Sequence, residues 1–392
     1  MNRILISAIL ALALIVAGTV AAILYANGYR LSFGGGTGTI KFIEGTGLLV
    51  ATSRPDGAKV LINSHLTTAT NNTINLAPGD YDVKIEKDGY VTWRKSIIIK
   101  KSFVSEANAL LLPTTPKLEA VTTIGISNVI MDASQTILAY SVASASGTKS
   151  GIYSLDMSAR TLIFLTDSGT QLVSDAQDFF STAKLSFSPN GKEILAVLPS
   201  ATRYLLEARS ANQTPQDVTN TSLVVERDWA EQQQAREKKL VDSLPRKLVP
   251  IATSYFANML PSPDGDKILY NASSSAALAR VTEASTPSVN STSDQRSIKE
   301  GYTYVYDIKE DKNYEIGDGS NHYFWHADDR HLVYAQTGHV NVVEFDGGNL
   351  TTVYDGPFVD SLVFPWPDGS GIAILSRLSQ SVPYNLYRIG LQ

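Results

Sequence analysis

A nine-residue pattern recurs along the C-terminal part of the chain and restricts the folds open to it more than any other feature. Phe187-Ser188-Pro189-Asn190-Gly191-Lys192-Glu193-Ile194-Leu195 aligns with Pro261-Ser262-Pro263-Asp264-Gly265-Asp266-Lys267-Ile268-Leu269 and with Pro365-Trp366-Pro367-Asp368-Gly369-Ser370-Gly371-Ile372-Ala373. Trp325-His326-Ala327-Asp328-Asp329-Arg330-His331-Leu332-Val333 is a degenerate fourth copy, and Ile130-Met131-Asp132-Ala133-Ser134-Gln135-Thr136-Ile137-Leu138 a weaker fifth. Proline fixes φ and glycine accepts positive φ without a Cβ clash, so each copy reads as a tight turn between two strands. Further strands follow at Gly151 to Asp156, Tyr304 to Asp307, Val342 to Asp346 and Asn385 to Arg388. The apolar anchors Ile137, Ile194, Ile268, Leu332 and Ile372 are spaced 57, 74, 64 and 40 residues apart. One four-stranded propeller blade takes about 40–50 residues. Residues 114–392 are therefore expected to form a β-propeller of about five to six blades, with insertions in the longer steps.

Two insertions stand out. Glu226 to Leu244 is rich in Gln, Glu, Lys, Arg and Ala and is closed by Pro245, which predicts a helix. Trp229, Leu240 and Leu244 would weakly anchor one face, either against a coiled-coil partner or, the favoured reading, against the propeller itself. Residues 272–297 are dense in Ser, Ala and Thr and are expected to be a disordered loop.

At the other end, Ile4 to Tyr25 is uncharged and almost wholly apolar. As a helix it would reach about 33 Å, against a hydrocarbon core of about 30 Å. Residues 1–26 are expected to be an uncleaved single-pass anchor with the N-terminus cytoplasmic and the bulk of the chain extracytoplasmic. The alternative is a signal peptide cleaved near the small residues Val20-Ala21-Ala22. Residues 27–46 read as a stalk. Gly34-Gly35-Gly36-Thr37-Gly38 lacks the Gly-Lys-Ser/Thr ending of a phosphate loop, so a flexible joint is expected there.

Between stalk and propeller the period changes to two. Tyr81-Asp82-Val83-Lys84-Ile85-Glu86 alternates without a break, placing Tyr81, Val83 and Ile85 inward. Turn signals at Pro55-Asp56-Gly57, Pro78-Gly79-Asp80 and Asp88-Gly89 separate further apolar runs. Residues 47–113 are expected to form a small all-β sandwich.

Ser53-Arg54-Pro55-Asp56-Gly57-Ala58-Lys59-Val60, Leu76-Ala77-Pro78-Gly79-Asp80-Tyr81 and Lys87-Asp88-Gly89-Tyr90 together resemble the PEGA domain. Asp56 stands where that family's name has Glu. Asn63-Ser64 replaces a Gly-containing turn, and Thr70-Asn71-Asn72-Thr73 lacks the usual Thr-Pro. The resemblance implies a non-catalytic β module of envelope proteins. The turn repeats resemble those of TolB and WD40-like propellers, although the strict WD40 Gly-His and Trp-Asp pairs are absent. Together these resemblances imply a bacterial membrane-anchored envelope protein with a C-terminal propeller.

Function classes narrow by exclusion. Lys+Arg 33 against Asp+Glu 38 leaves a net charge of −5, which disfavours nucleic acid as a partner. Cysteine is absent, which removes thiol nucleophiles, Cys-ligated zinc and iron–sulfur clusters. No Gly-x-Ser-x-Gly elbow and no His-Glu-x-x-His pair occurs. His322, His326, His331 and His339 cluster near Asp328 and Asp329, and are read as surface turn histidines rather than a metal site. The turn aspartates are read as turn formers rather than calcium ligands. The 18 Tyr and 4 Trp suit either sugar stacking or blade cores, with cores favoured. No catalytic, cofactor-binding or metal residue is assigned. The expected function is a non-catalytic extracytoplasmic binding or scaffold protein, tied to the membrane by its N-terminal helix and contacting cell-wall or surface glycans or an envelope protein. The alternatives are a propeller enzyme acting on glycans or peptides through a dispersed acidic pair, and an assembly partner that binds through the helical insertion.

Overall fold

The computed structural model describes residues 3–26, 29–33, 40–144, 148–158, 169–281, 290–359 and 362–391. The chain divides into two compact units, one of Met1–Leu111 with Ala284–Thr292, the other of Leu112–Glu283 with Ser293–Gln392.

The first unit begins with helix α1 (Arg3–Ala26). Its described side chains run from Ile9 to Ile23. Among the described residues no helix is long and apolar enough to cross a membrane. The stalk expected at 27–46 carries regular structure, because Tyr29–Phe33 pairs antiparallel with Ile40–Gly45. The joint expected at Gly34 to Gly38 lies outside the described residues.

Two sheets follow. Asn72–Leu76, Gly47–Arg54 and Val104–Leu110 form one, the last two strands running parallel. His65–Ala69, Lys59–Ile62, Gly79–Glu86 and Trp93–Ile99 form the other, all antiparallel. The alternating residues meet in one core. Val83 and Ile85 are fully buried with Leu49, Val60, Ile99 and Ala107, and Tyr81 packs half-buried beside them. The Asn63-Ser64 turn works without glycine because both residues take positive φ, 49° and 67°. That is the twist a two-residue hairpin needs, and asparagine tolerates it well.

Among the described residues the second unit contains five four-stranded antiparallel sheets, the meander of propeller blades. In chain order their innermost strands are Ser127–Met131, Lys184–Phe187, Phe256–Pro261, Tyr323–Trp325 and Val363–Pro365. The fifth sheet takes its outer strand from the start of the unit. Leu118–Ala120 pairs with Asn385–Gly390 in the register Leu118↔Ile389. A shared apolar cluster with Val121, Leu138, Tyr140, Phe364 and Leu386 joins the fifth sheet to the first.

All five turn repeats adopt one geometry. The first turn residue donates its N–H to the carbonyl five residues on, at Asp132, Ser188, Ser262, His326 and Trp366, with distances of 2.8–3.0 Å. The fourth residue donates back to the first and has positive φ: Gln135 58°, Gly191 69°, Gly265 76°, Asp329 62° and Gly369 72°. The two degenerate copies thus keep the backbone and change the side chains, but the weakest is corrected by one residue: Asp132, not Met131, takes the place of Ser188, so Leu138 rather than Ile137 aligns with Ile194.

The helix expected at Glu226 to Leu244 is α2 (Ser222–Ser243), which starts four residues earlier and leaves Leu244 as its extended C-cap, and α3 (Val249–Tyr255) follows. The loop expected to be disordered at 272–297 is corrected over its described part. Ala276–Ala277 pairs with Ser297–Ile298. Arg296 bridges Asp294 at 2.8 Å and Asp311 at 3.0 Å, while Leu278 and Ile298 are buried. Two apolar anchors and a half-buried ion pair hold the stretch despite its polar composition. Residues 282–289 lie outside the described residues.

Candidate functional site

The innermost strands of four sheets wall a cavity of about 1050 Å³. Met131, Met259, Leu260, Phe324 and Phe364 give it apolar sides. Consecutive residues of these short edge strands contribute, Val129, Ile130 and Met131 in the first sheet and Met259 and Leu260 in the third. Helix α2 contributes the remaining wall through Gln233, Arg236, Glu237, Lys239, Leu240 and Ser243.

The helix is held mainly by polar contacts. Arg203 pairs with Glu226 at 2.5 Å, and Trp229 Nε1 donates to Glu193 at 3.4 Å. Arg236 donates to the carbonyls of Ala133 at 3.1 Å and Pro189 at 3.4 Å, in the turns of the first and second sheets. Apolar anchorage comes at its end. Leu244 is buried with Leu248, Phe256 and Tyr270, while Leu240 is only half-buried. The expected anchors Trp229, Leu240 and Leu244 therefore divide. Leu244 is core, Trp229 hydrogen-bonds the second sheet, and Leu240 faces the cavity. The helix lies against its own sheets, as the favoured reading of the insertion has it.

The cavity holds two carboxylate side chains among its described lining, Asp132 and Glu237. Asp132 accepts from the N–H groups of Thr136 at 2.7 Å and Ile137 at 2.6 Å, so it is committed to its turn.

The four neighbouring histidines separate. His322 is exposed and lines the cavity, and His339 lies on an outer face, 3.5 Å from Asp355. His326 is fully buried and His331 nearly so, which corrects the expectation of surface turn histidines at these two positions. Both contact one carboxylate. His331 Nδ1 lies 2.7 Å from Asp328 Oδ2, and His326 Nδ1 lies 3.1 Å from Asp328 Oδ1. Burial alone would raise the Asp328 carboxyl, but the two imidazoles outweigh it and hold the group well below the usual carboxylate range. One donor atom from each of the three residues lies within 4.8 Å of the others. The signal was present in the repeat. His326 occupies the place of Ser262, and His331 that of Lys267.

Residues 46–114 match the PEGA domain family model. No curated protein matches the chain. Among solved structures the chain is similar to a TolB-assigned protein from Agrobacterium tumefaciens, with 16% identity and a TM-score of 0.22 over 68% of this chain and 72% of that one. It is also similar to TolB from Acinetobacter baumannii, with 15% identity and a TM-score of 0.23 over 80% of this chain and 60% of that one.

Proposed function

We propose that this chain, a PEGA-domain protein with five blade-like sheets, is a membrane-anchored, non-catalytic binding protein of the bacterial cell envelope. The observation that carries the reading is the cavity. Its volume of about 1050 Å³ lies at the upper end of the range for ligand sites, and it combines apolar walls with polar groups from α2 and His322. The ligand class is a cell-wall or surface glycan, or a segment of an envelope protein. The carboxylate of Asp132 serves its turn, which favours binding over acid–base chemistry at this site.

Anchoring rests on the uncharged run Ile4 to Tyr25, which extends past the described side chains of α1 at both ends. Were that whole run helical, its 22 residues would reach about 33 Å, against a hydrocarbon core of about 30 Å. Protease added to intact spheroplasts should digest the second unit, and full protection of it would refute the topology. For the binding role, the full chain in detergent is screened against peptidoglycan fragments, envelope glycans and envelope extracts. The exposed lining substitutions His322→Ala and Lys239→Ala should weaken any ligand found. Binding that ignores both would move the site away from the cavity.

A further inference from the structure

In the turn of the third sheet, the first and sixth residues both reach the carboxylate of the third. Ser262 Oγ donates to Asp264 Oδ1, and Lys267 Nζ lies 3.6 Å from Asp264 Oδ2. The fourth sheet keeps this backbone and this carboxylate but puts imidazoles at both positions. A hydroxyl and an ammonium become two nitrogen donors around one carboxylate, His326, His331 and Asp328.

The hydrogen bonding fixes what these nitrogens present. His326 Nε2 lies 3.1 Å from the carbonyl oxygen of Gly369, in the turn of the fifth sheet. A carbonyl oxygen only accepts, so Nε2 carries the proton. The other ring nitrogen, Nδ1, lies 3.1 Å from Asp328 Oδ1 and 3.4 Å from the Asp328 N–H. Two buried imidazole nitrogens thus converge on one carboxylate in a single turn, a set of nitrogen and oxygen donors that a cation can bridge. We propose that His326 Nδ1, His331 Nδ1 and Asp328 bind a late first-row divalent metal ion, zinc foremost.

The donor chemistry suits this class. Imidazole and carboxylate bind zinc at about 2.0–2.2 Å, which sets donor atoms about 3.3 Å apart in a tetrahedron. His326 Nδ1 lies 3.1 Å from one oxygen of the carboxylate and His331 Nδ1 2.7 Å from the other, and one donor atom from each residue lies within 4.8 Å of the rest, so modest side-chain shifts bring three together. The bond from Nε2 to the Gly369 carbonyl is the outer partner that a metal-bound histidine ordinarily has, fixing its tautomer and ring angle. Access is through Asp328, whose side chain is 19% exposed while those of the histidines are 0% and 4% exposed. Binding displaces the Nδ1 proton of His331 to solvent, since that nitrogen now hydrogen-bonds Asp328. Three protein donors leave a fourth position for water. Because His326 also holds the fifth sheet's turn, the ion would brace the junction of the fourth and fifth sheets.

The test uses the full chain in detergent, stripped with a chelator and titrated with zinc chloride by calorimetry. One saturable site per chain is expected, and cobalt at the same site should give tetrahedral visible absorption. Asp328→Asn and His331→Ala should each weaken zinc binding by roughly a hundredfold, while His322→Ala and His339→Ala leave it unchanged. Absence of saturable zinc binding, or undiminished binding in folded Asp328→Asn and His331→Ala, overturns the proposal. Should those two variants fail to fold, NMR of the parent chain decides. Zinc must move the ring resonances of His326 and His331 and not that of His322, and unmoved resonances overturn it.

Discussion

Gly265 and Gly369 occupy the same place in their turns and have nearly the same φ, 76° and 72°, so an alanine at either site pays the same backbone penalty. For an L-residue in the left-handed region that is about 1–2 kcal/mol. Their surroundings differ. A Cβ on Gly265 meets nothing within 4 Å, whereas one on Gly369 lies 3.0 Å from His326 Cε1, 3.1 Å from His326 Nε2 and 3.5 Å from Ala327 Cβ. His326 is fully buried and bonded to the Gly369 carbonyl, so its ring has little room to yield. Overpacking of this kind costs about 1–3 kcal/mol. Gly265→Ala should therefore lose about 1–2 kcal/mol and Gly369→Ala about 2–4 kcal/mol. Urea titrations of the full chain read by pulse proteolysis would measure both, since each unit yields its own fragments. Sequence alignment alone makes the two glycines equivalent. Equal losses, or a larger one at Gly265, would refute the argument that His326 is immobile against the neighbouring turn.

Other outcomes follow from the same structure. Ser64→Gly in the first unit should gain about 0.5–1 kcal/mol, because it relieves a φ of 67° at modest entropic cost, and a urea melt would detect it. Burial raises the Asp307 carboxyl above the ordinary range, with nearby Lys267 opposing. A raised folded-state value means that the contribution of Asp307 is present below the unfolded carboxylate range and is lost as pH rises through the folded value. Asp307→Asn should accordingly gain stability relative to the parent as pH rises above that range, and a flat difference across pH would contradict it. Arg236→Ala removes two solvent-accessible hydrogen bonds, so global stability should fall by less than about 1 kcal/mol while amide exchange in α2 accelerates. Amides of Leu278 and Ala276 should exchange slowly, and immediate exchange would restore the disordered-loop reading of that stretch.

The parts that were legible in the sequence are those whose chemistry is local. Pro-Asp-Gly or Pro-Asn-Gly specifies a turn within a few residues, so three copies were plain and a fourth followed by alignment, while the fifth, with neither proline nor glycine to fix it, aligned one residue out of register. Alternation through Tyr81 to Glu86 revealed the inward face of one strand. What escaped depends on partners distant in sequence. Leu118-Glu119-Ala120 has no pattern of its own and becomes a strand only by pairing with Asn385–Gly390. Ser, Ala and Thr around Ala276 carry no strand signal, and order there comes from Arg296 and its two aspartates. Helix α2 was predicted from helix formers and Pro245, but composition does not say that Arg236 would reach the carbonyls of two turns and make α2 a cavity wall. The histidines read as surface turn residues because nothing local to His326 or His331 signals burial. Alignment to Ser262 and Lys267 was the informative comparison, since those side chains already converge on one carboxylate.

The pairing of Leu118–Ala120 with Asn385–Gly390 also sets an order of events during synthesis. The strand that completes the fifth sheet is made early, and its partner leaves the ribosome more than two hundred and fifty residues later. Until then the outer edge of Asn385–Gly390 does not exist, and Val121 and Leu138 lack Leu386 and Phe364 to pack against. Contacts so distant along the chain slow folding and prolong the exposure of unpaired strand edges to other chains. The sandwich of the first unit needs no such wait, because its two sheets are complete by Leu110. The growing polypeptide thus carries a finished β module ahead of a long, unfinished one, and that interval is when a holding chaperone has most to protect.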